Sequence, residues 1–181
     1  MELMDNLLRF ARRPKESEPF KVKDALQEAM TLVRMGAKMT QVQCNLDVRA
    51  DPILSARRGE IQQVVINLMT NAVDAMPGGG TLTVVLEEDD SANRQWVKIS
   101  IHDTGEGIPP DIRRRIFEPF FTTKGPGKGT GLGLSIVRDI VGNYQGVLEV
   151  ESEVHQGTTF IVRLPMNPPT VIADPVDLKA A

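Results

Sequence analysis

The sequence predicts an α+β domain with a mixed, mostly antiparallel sheet and helices on one of its faces. Segments 22–40 and 58–76 carry apolar residues at helical spacing, which predicts two long amphipathic helices. Segments 81–86 and 96–101 have the composition of strands and follow one another directly, separated by a polar loop. Consecutive strands of this kind form hairpins, whereas a regular alternation of strand and helix would predict parallel winding.

The remaining elements are predicted from equally local patterns. Apolar and polar residues alternate at 41–49 with the period of a strand. The run from Pro77 to Gly80 ends the second long helix, because proline and glycine both interrupt helical structure. In chain order the predictions are a helix at 22–40, a strand at 41–49, a helix at 58–76, strands at 81–86 and 96–101, a helix at 131–143, and strands at 146–152 and 158–164.

Both ends of the chain are predicted to lie outside the main domain, which is expected at 15–165. Residues 1–14 carry an apolar stripe that ends at Pro14 and is too short to bury itself, as at the end of a longer helix. Residues 15–19 form a polar link. Residues 166–181 have little periodicity and are expected to be a loose tail.

Composition excludes several classes of function. The 181 residues carry a net charge of −3, which gives no electrostatic case for nucleic acid. No apolar run is long enough to span a bilayer, so this chain is expected to make no membrane contact, although a longer parent could be anchored. The single cysteine, Cys44, cannot form an internal disulfide, and a reducing, cytoplasmic location is expected.

Two asparagines are the first candidate site residues. Asn67 and Asn71 lie four residues apart in a predicted helix, so their amides share a face that is otherwise apolar. One asparagine there would be a satisfied structural group, whereas two beside candidate phosphate loops are better explained as oxygen ligands of Mg²⁺. Asp74, about one turn later, is typical of an ordinary helix end.

Asp103 ends a predicted strand and is followed by Gly105 and Gly107. A carboxylate in this position can accept a hydrogen bond from a ligand amine, because the glycines let a ligand approach the backbone. Taken alone, the pattern is explained better by an aspartate that bonds its own turn.

A second glycine cluster, Gly129 to Ser135, precedes a predicted helix. The unpaired N–H groups of a helix start favour phosphate, and Gly131 and Gly133 allow a close approach. Thr130 and Ser135 could cap the helix or bond phosphate oxygens. The cluster lacks the Gly-Lys-Ser/Thr end of a P-loop, and no strand precedes it as in a dinucleotide-binding turn.

Residues 108–130 connect the two glycine clusters as a long loop with no sustained period. Three phenylalanines in such a loop suggest a lid that packs when closed, and Lys124 and Lys128 could reach phosphates as point charges. The run from Arg113 to Arg115 is either a solvated face or a phosphate or partner contact.

These motifs, in this order, resemble the ATP-binding domain of two-component sensor histidine kinases, especially the nitrogen-regulation-like subgroup. Residues 67–76 resemble its N box, 103–107 its first glycine box, 117–124 its F box and 129–135 its second glycine box. The resemblance covers about residues 1–165 and includes Gly157-Thr-Thr-Phe160 near the end. Four ordered motifs make it specific for the wider superfamily, which also holds gyrase, mismatch-repair and chaperone ATPases.

The resemblance implies a Bergerat fold, a two-layer α/β sandwich with ATP between helices and sheet and residues 108–130 as the ATP lid. It implies that Asp103 accepts from the adenine amine, that Asn71 and Asn67 hold Mg²⁺, and that Asn67, Asn71 and Lys124 are the catalytic set. The residues it places at ATP are Asn71, Asp74, Asp103, Gly105, Gly107, Ile108, Phe120, Thr122, Thr123, Lys124, Gly129, Thr130, Gly131, Leu132, Gly133 and Leu134.

The type of reaction depends on Asn67. Relatives that hydrolyse ATP have a glutamate at this position, which acts as general base on water, and an amide cannot accept a proton at neutral pH. The resemblance therefore implies transfer of the γ-phosphate to a histidine on a dimerisation domain absent from this chain, and indirectly to a response regulator. Neither His102 nor His155 lies in a helical context, so both are expected to be structural.

Two other functions remain open at this point. One is a stand-alone nucleotide-binding regulator or a serine kinase of the anti-sigma-factor type, and the other is a binding module that senses nucleotide. Residues 1–13 have few apolar side chains with which to dimerise, so a monomer or a weak homodimer is expected.

Overall fold

The computed structural model of the chain describes residues 17–37, 41–89, 95–125 and 129–167. Within them a five-stranded sheet, three α-helices and a separate two-stranded ribbon are present. In chain order the elements are β1 (Glu18–Lys21), α1 (Val22–Ala37), β2 (Val42–Val48), β3 (Ile53–Ala56), α2 (Arg58–Asp74), β4 (Gly80–Asp89), β5 (Trp96–Asp103), a 3₁₀ turn (Arg115–Phe117), α3 (Gly133–Asn143), β6 (Val147–Glu153) and β7 (Gly157–Pro165).

The large sheet has the strand order β2-β4-β5-β7-β6, and β1 pairs with β3 in the ribbon. Strands β2 and β4 are parallel, and the other described pairs are antiparallel. The register places Asp103, at the end of β5, opposite Leu82 on one side and Thr158 on the other. Asp103 is thus the last residue of a central strand and has a neighbouring strand on each side.

The sheet has one buried and one polar face, because side chains alternate along each strand. Ile99 and Ile101 of β5 are buried with Leu68 of α2 in one apolar cluster that includes all three helices. On the other face Lys98 pairs with Glu87 across neighbouring strands. The helices therefore cover a single face of the sheet, as the sequence predicts. No described helix is both long and apolar enough to cross a membrane.

The α+β class and the mixed sheet are confirmed, with differences at short elements. Strands β1 and β3 were not predicted, and β1 begins inside the expected polar link, because four residues are too few to show a period. Helix α3 begins at Gly133, two residues after the predicted start. Met166 donates to the Gln95 carbonyl and accepts from the Ser55 N–H group. The predicted segment 1–14 and most of the tail lie outside the described residues.

A polar cluster fixes how the second and third helices pack. The Tyr144 hydroxyl, just after α3, donates to Glu60 Oε2 at 2.6 Å and accepts from the Arg57 N–H group at 3.0 Å. Burial, reinforced by Glu60, raises the pKa of Tyr144 to about 12. Because residues 57 and 60 lie at the start of α2, the two helices are antiparallel, and the start of α3 lies beside the second half of α2.

Replacing Tyr144 with phenylalanine is expected to lower the free energy of unfolding by about 1–3 kcal/mol, because the Arg57 N–H group and the Glu60 carboxylate each lose a partner. Urea unfolding followed by circular dichroism measures this change. The control is Thr31→Val, which removes an exposed hydroxyl bonded to the Gln27 carbonyl and should change stability little. A loss below about 0.5 kcal/mol for Tyr144→Phe would show that the cluster contributes little stability.

Candidate nucleotide-binding site

The second half of α2 presents two half-buried amides to the start of α3. Asn67 Nδ2 donates to the Gly133 carbonyl at 3.2 Å. A Cβ atom at Gly133 would lie 3.9 Å from the side chains of both Asn67 and Asn71. The antiparallel packing of the helices thus brings the predicted metal ligands together with the predicted phosphate-binding helix start.

A lysine of the lid, residues 108–130, reaches the same face of α2. Lys124 Nζ lies 2.5 Å from Asp74 Oδ2 and 3.2 Å from Asn71 Oδ1. The residue pattern predicted an ordinary helix end for Asp74, and the resemblance placed both Asp74 and Lys124 at ATP. In the structure their ion pair joins the lid to the helix. The side chains are partly exposed, so the pair adds little stability by itself.

The amide oxygens suit a hard cation such as Mg²⁺. Asn71 Oδ1 already accepts from a cation, the Lys124 ammonium. Asn67 uses its NH₂ group toward Gly133, which leaves its carbonyl oxygen for a ligand. No group of three or more His, Cys, Asp or Glu side chains forms a metal site within the described ranges. An ion held here would therefore take much of its coordination from substrate phosphates and water, as Mg²⁺ commonly does.

Asp103 forms the opposite end of the site and is only 2% exposed. Its Oδ1 atom accepts from the Gly105 N–H group at 2.9 Å and from the Thr158 N–H group at 3.2 Å. Burial raises the pKa of the Asp103 carboxyl, and these two hydrogen bonds oppose the rise. Both bonds end on Oδ1, so Oδ2 can accept from a ligand amine. The turn-forming role and the ligand-binding role considered from the sequence are thus compatible.

The end of α2 connects the two parts of the site. The Ala75 carbonyl accepts from the Glu106 N–H group at 3.2 Å, and a Cβ atom at Gly105 would lie 2.5 Å from that carbonyl. From Asn67 to Ala75 a helix rises about 12 Å at ~1.5 Å per residue. The first glycine cluster and the amide pair therefore lie at two ends of one helical segment.

Two glycines of the predicted ATP site are required by the backbone. Gly107 has φ +72°, and a Cβ atom there would lie 2.1 Å from the Glu153 carbonyl oxygen. Gly131 has φ +68°, and its Cβ atom would lie 2.4 Å from the Phe120 carbonyl carbon. The Gly131 carbonyl also accepts from the Phe120 N–H group at 2.9 Å. The second glycine cluster therefore fixes the lid against the start of α3.

The lid is attached to the domain at several further points. Phe117 and Phe121 pack partly against the core, and the Arg115 guanidinium lies 4.6 Å from the centre of the Phe121 ring. Phe120 is 75% exposed with φ +66°. Arg113 donates to the carbonyls of Ile108 and Ser152, so one member of the arginine run anchors the lid. The prediction of a packed lid applies to two of the three phenylalanines.

The other predicted site residues fall into two groups. Ile108 and Leu134 are partly buried against the core. Thr122 accepts from the Lys124 N–H group at 3.1 Å, and Thr130 accepts from the Leu132 N–H group at 3.4 Å. The residues exposed along the lid include Thr122, Thr123, Gly129 and Thr130. Ser135 Oγ donates to the Leu132 carbonyl and does not cap the helix.

Three residues at the Asp103 end received no role from the sequence. Thr158 is 4% exposed and donates its N–H group to Asp103. Ser152 Oγ accepts from the Ile108 N–H group at 2.7 Å and lies 3.0 Å from Thr158 Oγ1. Thr158 lies in the Gly-Thr-Thr-Phe segment, which carried part of the resemblance, so a signal for it was present. Ala75 has no polar side chain, and only its place within residues 67–76 marks it in the sequence.

A cavity of about 280 Å³ opens beside Ala75 and Gly105. The turn 77–79, Glu106 and His155 also line it, whereas the amide pair and Lys124 do not. The cavity therefore adjoins the Asp103 end of the site.

The described geometry agrees with non-helical settings for both histidines. His102 lies in β5, with its ring Nδ1 2.9 Å from Thr159 Oγ1. His155 lies in the turn between β6 and β7, and its backbone N–H group donates to the Glu106 carbonyl at 2.8 Å.

Comparison with known proteins matches this site to one family. A model described as histidine kinase-, DNA gyrase B- and HSP90-like ATPase matches residues 56–168, a range that contains every motif discussed above. The two-component sensor PprA of Pseudomonas aeruginosa is 38% identical over 173 residues, which cover 92% of this chain. The chain spans only 18% of the length of PprA.

Solved structures give the same result. The catalytic domain of histidine kinase ThkA has a TM-score of 0.74 and 30% identity, and the match covers 85% of this chain and 98% of ThkA's solved chain. Full-length ShkA, solved in complex with AMPPNP, has a TM-score of 0.79 and 28% identity over 93% of this chain and 36% of its own.

Proposed function

Because this chain is the ATP-binding domain of a sensor histidine kinase, within the family of histidine kinase-, DNA gyrase B- and HSP90-like ATPases, we propose that it transfers the ATP γ-phosphate to a histidine on another domain of its parent. The observation that carries this proposal is that Asn67 and Asn71 lie beside the start of α3 and that Lys124 is bonded to Asn71. This arrangement supports a site in which amide oxygens, a cation and helical N–H groups act together.

In this proposal Asp103 recognises the adenine base of ATP. The adenine amine donates to Asp103 Oδ2, while Oδ1 remains bonded to the N–H groups of Gly105 and Thr158. These two bonds fix the carboxylate, so little rotation is lost when the base binds. Gly105 and Ala75 lie too close together for a side chain at residue 105. The wall of the site at this end is therefore formed by backbone atoms.

The phosphates are bound at the other end. The N–H groups at the start of α3 and the Lys124 ammonium provide positive charge, and Asn71 and Asn67 would hold Mg²⁺. When bound, the ion neutralises charge on the β- and γ-phosphates. Helix α2 carries both asparagines and ends near Asp103, so it sets the distance between base and phosphates.

The transfer step needs no base from this chain. A lone pair on the acceptor imidazole forms a bond to the γ-phosphorus as the bond to the β–γ bridging oxygen breaks, and that electron pair leaves on ADP. The imidazole then loses its N–H proton to solvent water. Water would need a general base to react, and the amide of Asn67 cannot accept a proton. The residues therefore favour transfer over hydrolysis.

The remaining partners follow from this role. The acceptor histidine would belong to a dimerisation domain of the parent, which in turn would supply phosphate to the receiver domain of a response regulator. The short length relative to PprA supports the existence of further domains in such a parent. The chain by itself is proposed to be a monomer or a weak homodimer.

The chain alone is expected to bind ATP in the presence of Mg²⁺ and to incorporate almost no label from γ-labelled ATP. Adding the parent's histidine-bearing domain should give labelling that is lost in acid, as expected for a phosphorus–nitrogen bond. A chain with Asn71→Ala is the control and should not label that domain. Strong labelling of the chain alone would contradict the proposal, and acid-stable labelling of a partner serine would favour a serine kinase instead.

A further inference from the structure

The ammonium of the lid lysine occupies an acceptor that the proposed metal ion would need. Lys124 Nζ lies 3.2 Å from Asn71 Oδ1, which the proposed function assigns to Mg²⁺. Two cations cannot share one amide oxygen at these distances without strong repulsion. Binding of Mg²⁺ with ATP therefore requires Lys124 to leave Asn71.

Asp74 is the group that keeps the lysine there. Its Oδ2 atom is the nearer acceptor, at 2.5 Å from Lys124 Nζ, and a carboxylate holds an ammonium more strongly than an amide does. The lid contributes to the same position. The Lys124 N–H group donates to Thr122 Oγ1, and a Cβ atom at Gly129 would lie 3.2 Å from Lys124 Cδ, so the lysine stem passes close to Gly129.

We propose that Asp74 is a positioning residue that holds Lys124 on Asn71 before nucleotide binds. Mg²⁺ and ATP then displace the ammonium, which turns to the γ-phosphate. In this role Asp74 acts through Lys124, and not by the direct contact with ATP that the resemblance implies. This inference rests on the proposed function, because it needs Asn71 to be a metal ligand.

A simpler role for Asp74, direct attraction of the metal ion, predicts the opposite change in the Mg²⁺ concentration needed for ATP binding. An acidic group near a metal site attracts the metal, so its removal should raise the Mg²⁺ concentration needed for ATP binding. If Asp74 instead holds a competing cation on Asn71, its removal should lower that concentration. The sign of the change thus separates the two roles.

The first experiment needs no nucleotide. Trypsin cleaves after Lys124 only when the lysine side chain can enter the protease, and the ion pair opposes this. In the nucleotide-free chain, Asp74→Asn is expected to speed cleavage after Lys124 about threefold, a factor typical of a partly exposed ion pair. Mass spectrometry identifies the cut. The control Asp139→Asn removes a carboxylate paired with the exposed Arg138 and should leave this rate unchanged.

The second experiment titrates Mg²⁺ at fixed ATP and follows binding by calorimetry. Asp74→Asn is expected to lower the Mg²⁺ concentration at half-maximal ATP binding about threefold, and Asp139→Asn to leave it unchanged. Asp74→Ala repeats the test without a side-chain amide.

The outcomes distinguish this inference from the proposed function. Unchanged cleavage after Lys124, or a higher Mg²⁺ requirement in both Asp74 variants, would overturn the role of Asp74 even if ATP binds normally. Failure of the unaltered chain to bind ATP with Mg²⁺ would overturn the proposed function, and with it the metal competition. Faster cleavage together with a lower Mg²⁺ requirement supports the inference.

Discussion

Asp103→Asn is expected to lower the affinity of the chain for ATP by at least about 100-fold. A buried site that is built to hydrogen-bond one polar group loses much of its affinity when a mismatch leaves buried polar groups unpaired. The new side chain has nearly the same shape. Its oxygen can still accept from the N–H groups of Gly105 and Thr158, which turns its NH₂ group toward the adenine amine. Two donors then face each other in a buried position.

The same change should alter selectivity between bases. Guanine has a carbonyl oxygen where adenine has its amine, so the NH₂ group of the substituted side chain can donate to GTP. We expect the ratio of ATP to GTP affinity, measured by calorimetry, to fall sharply. The control is His102→Gln, which changes the exposed neighbouring residue and should preserve the ratio. Equal losses for ATP and GTP would indicate a folding defect and would remove the proposed role of Asp103.

Asn71→Ala is expected to lower ATP affinity in excess Mg²⁺ by about 100-fold. Replacing a residue that only hydrogen-bonds to a metal ligand lowers metal affinity by about 10–100-fold, and Asn71 is proposed to be a ligand itself. With a chelator present, the variant and the unaltered chain should bind ATP about equally, because the amide would serve the ion more than the nucleotide. Calorimetry under both conditions gives the comparison. The control Asn45→Ala removes an exposed amide from the open face of β2. Unchanged affinity and Mg²⁺ dependence in Asn71→Ala would remove the metal site.

Much of the fold can be predicted from local sequence patterns, because each turn of a long amphipathic helix places an apolar residue toward the core. Helix α2 was predicted within two residues at its end, and the predicted strands at 81–86 and 96–101 lie inside longer ones. The ribbon of β1 and β3 was missed because each strand is short and is formed by pairing across distant sequence. Such pairing leaves no period to detect.

The site shows the same division. Asn67 and Asn71 share a helix, so their spacing alone places them together. The meeting of Lys124 with Asp74 depends on how residues separated by 50 positions fold back, and neither residue marks the other in the sequence. The support of Asp103 by Thr158 likewise comes from the register of β5 and β7, which the strand patterns do not specify.

The hydrogen bond between Phe120 and Gly131 closes the chain on itself at the base of the lid. The entropy of closing such a loop grows slowly with its length, by about 0.6 kcal/mol for each doubling. Residues added after Gly125 would therefore leave the start of α3 where it is and cost the domain little. The part of the lid that follows Lys124 can therefore vary in length, for example to suit different acceptor domains, while Lys124 and the nucleotide site stay the same.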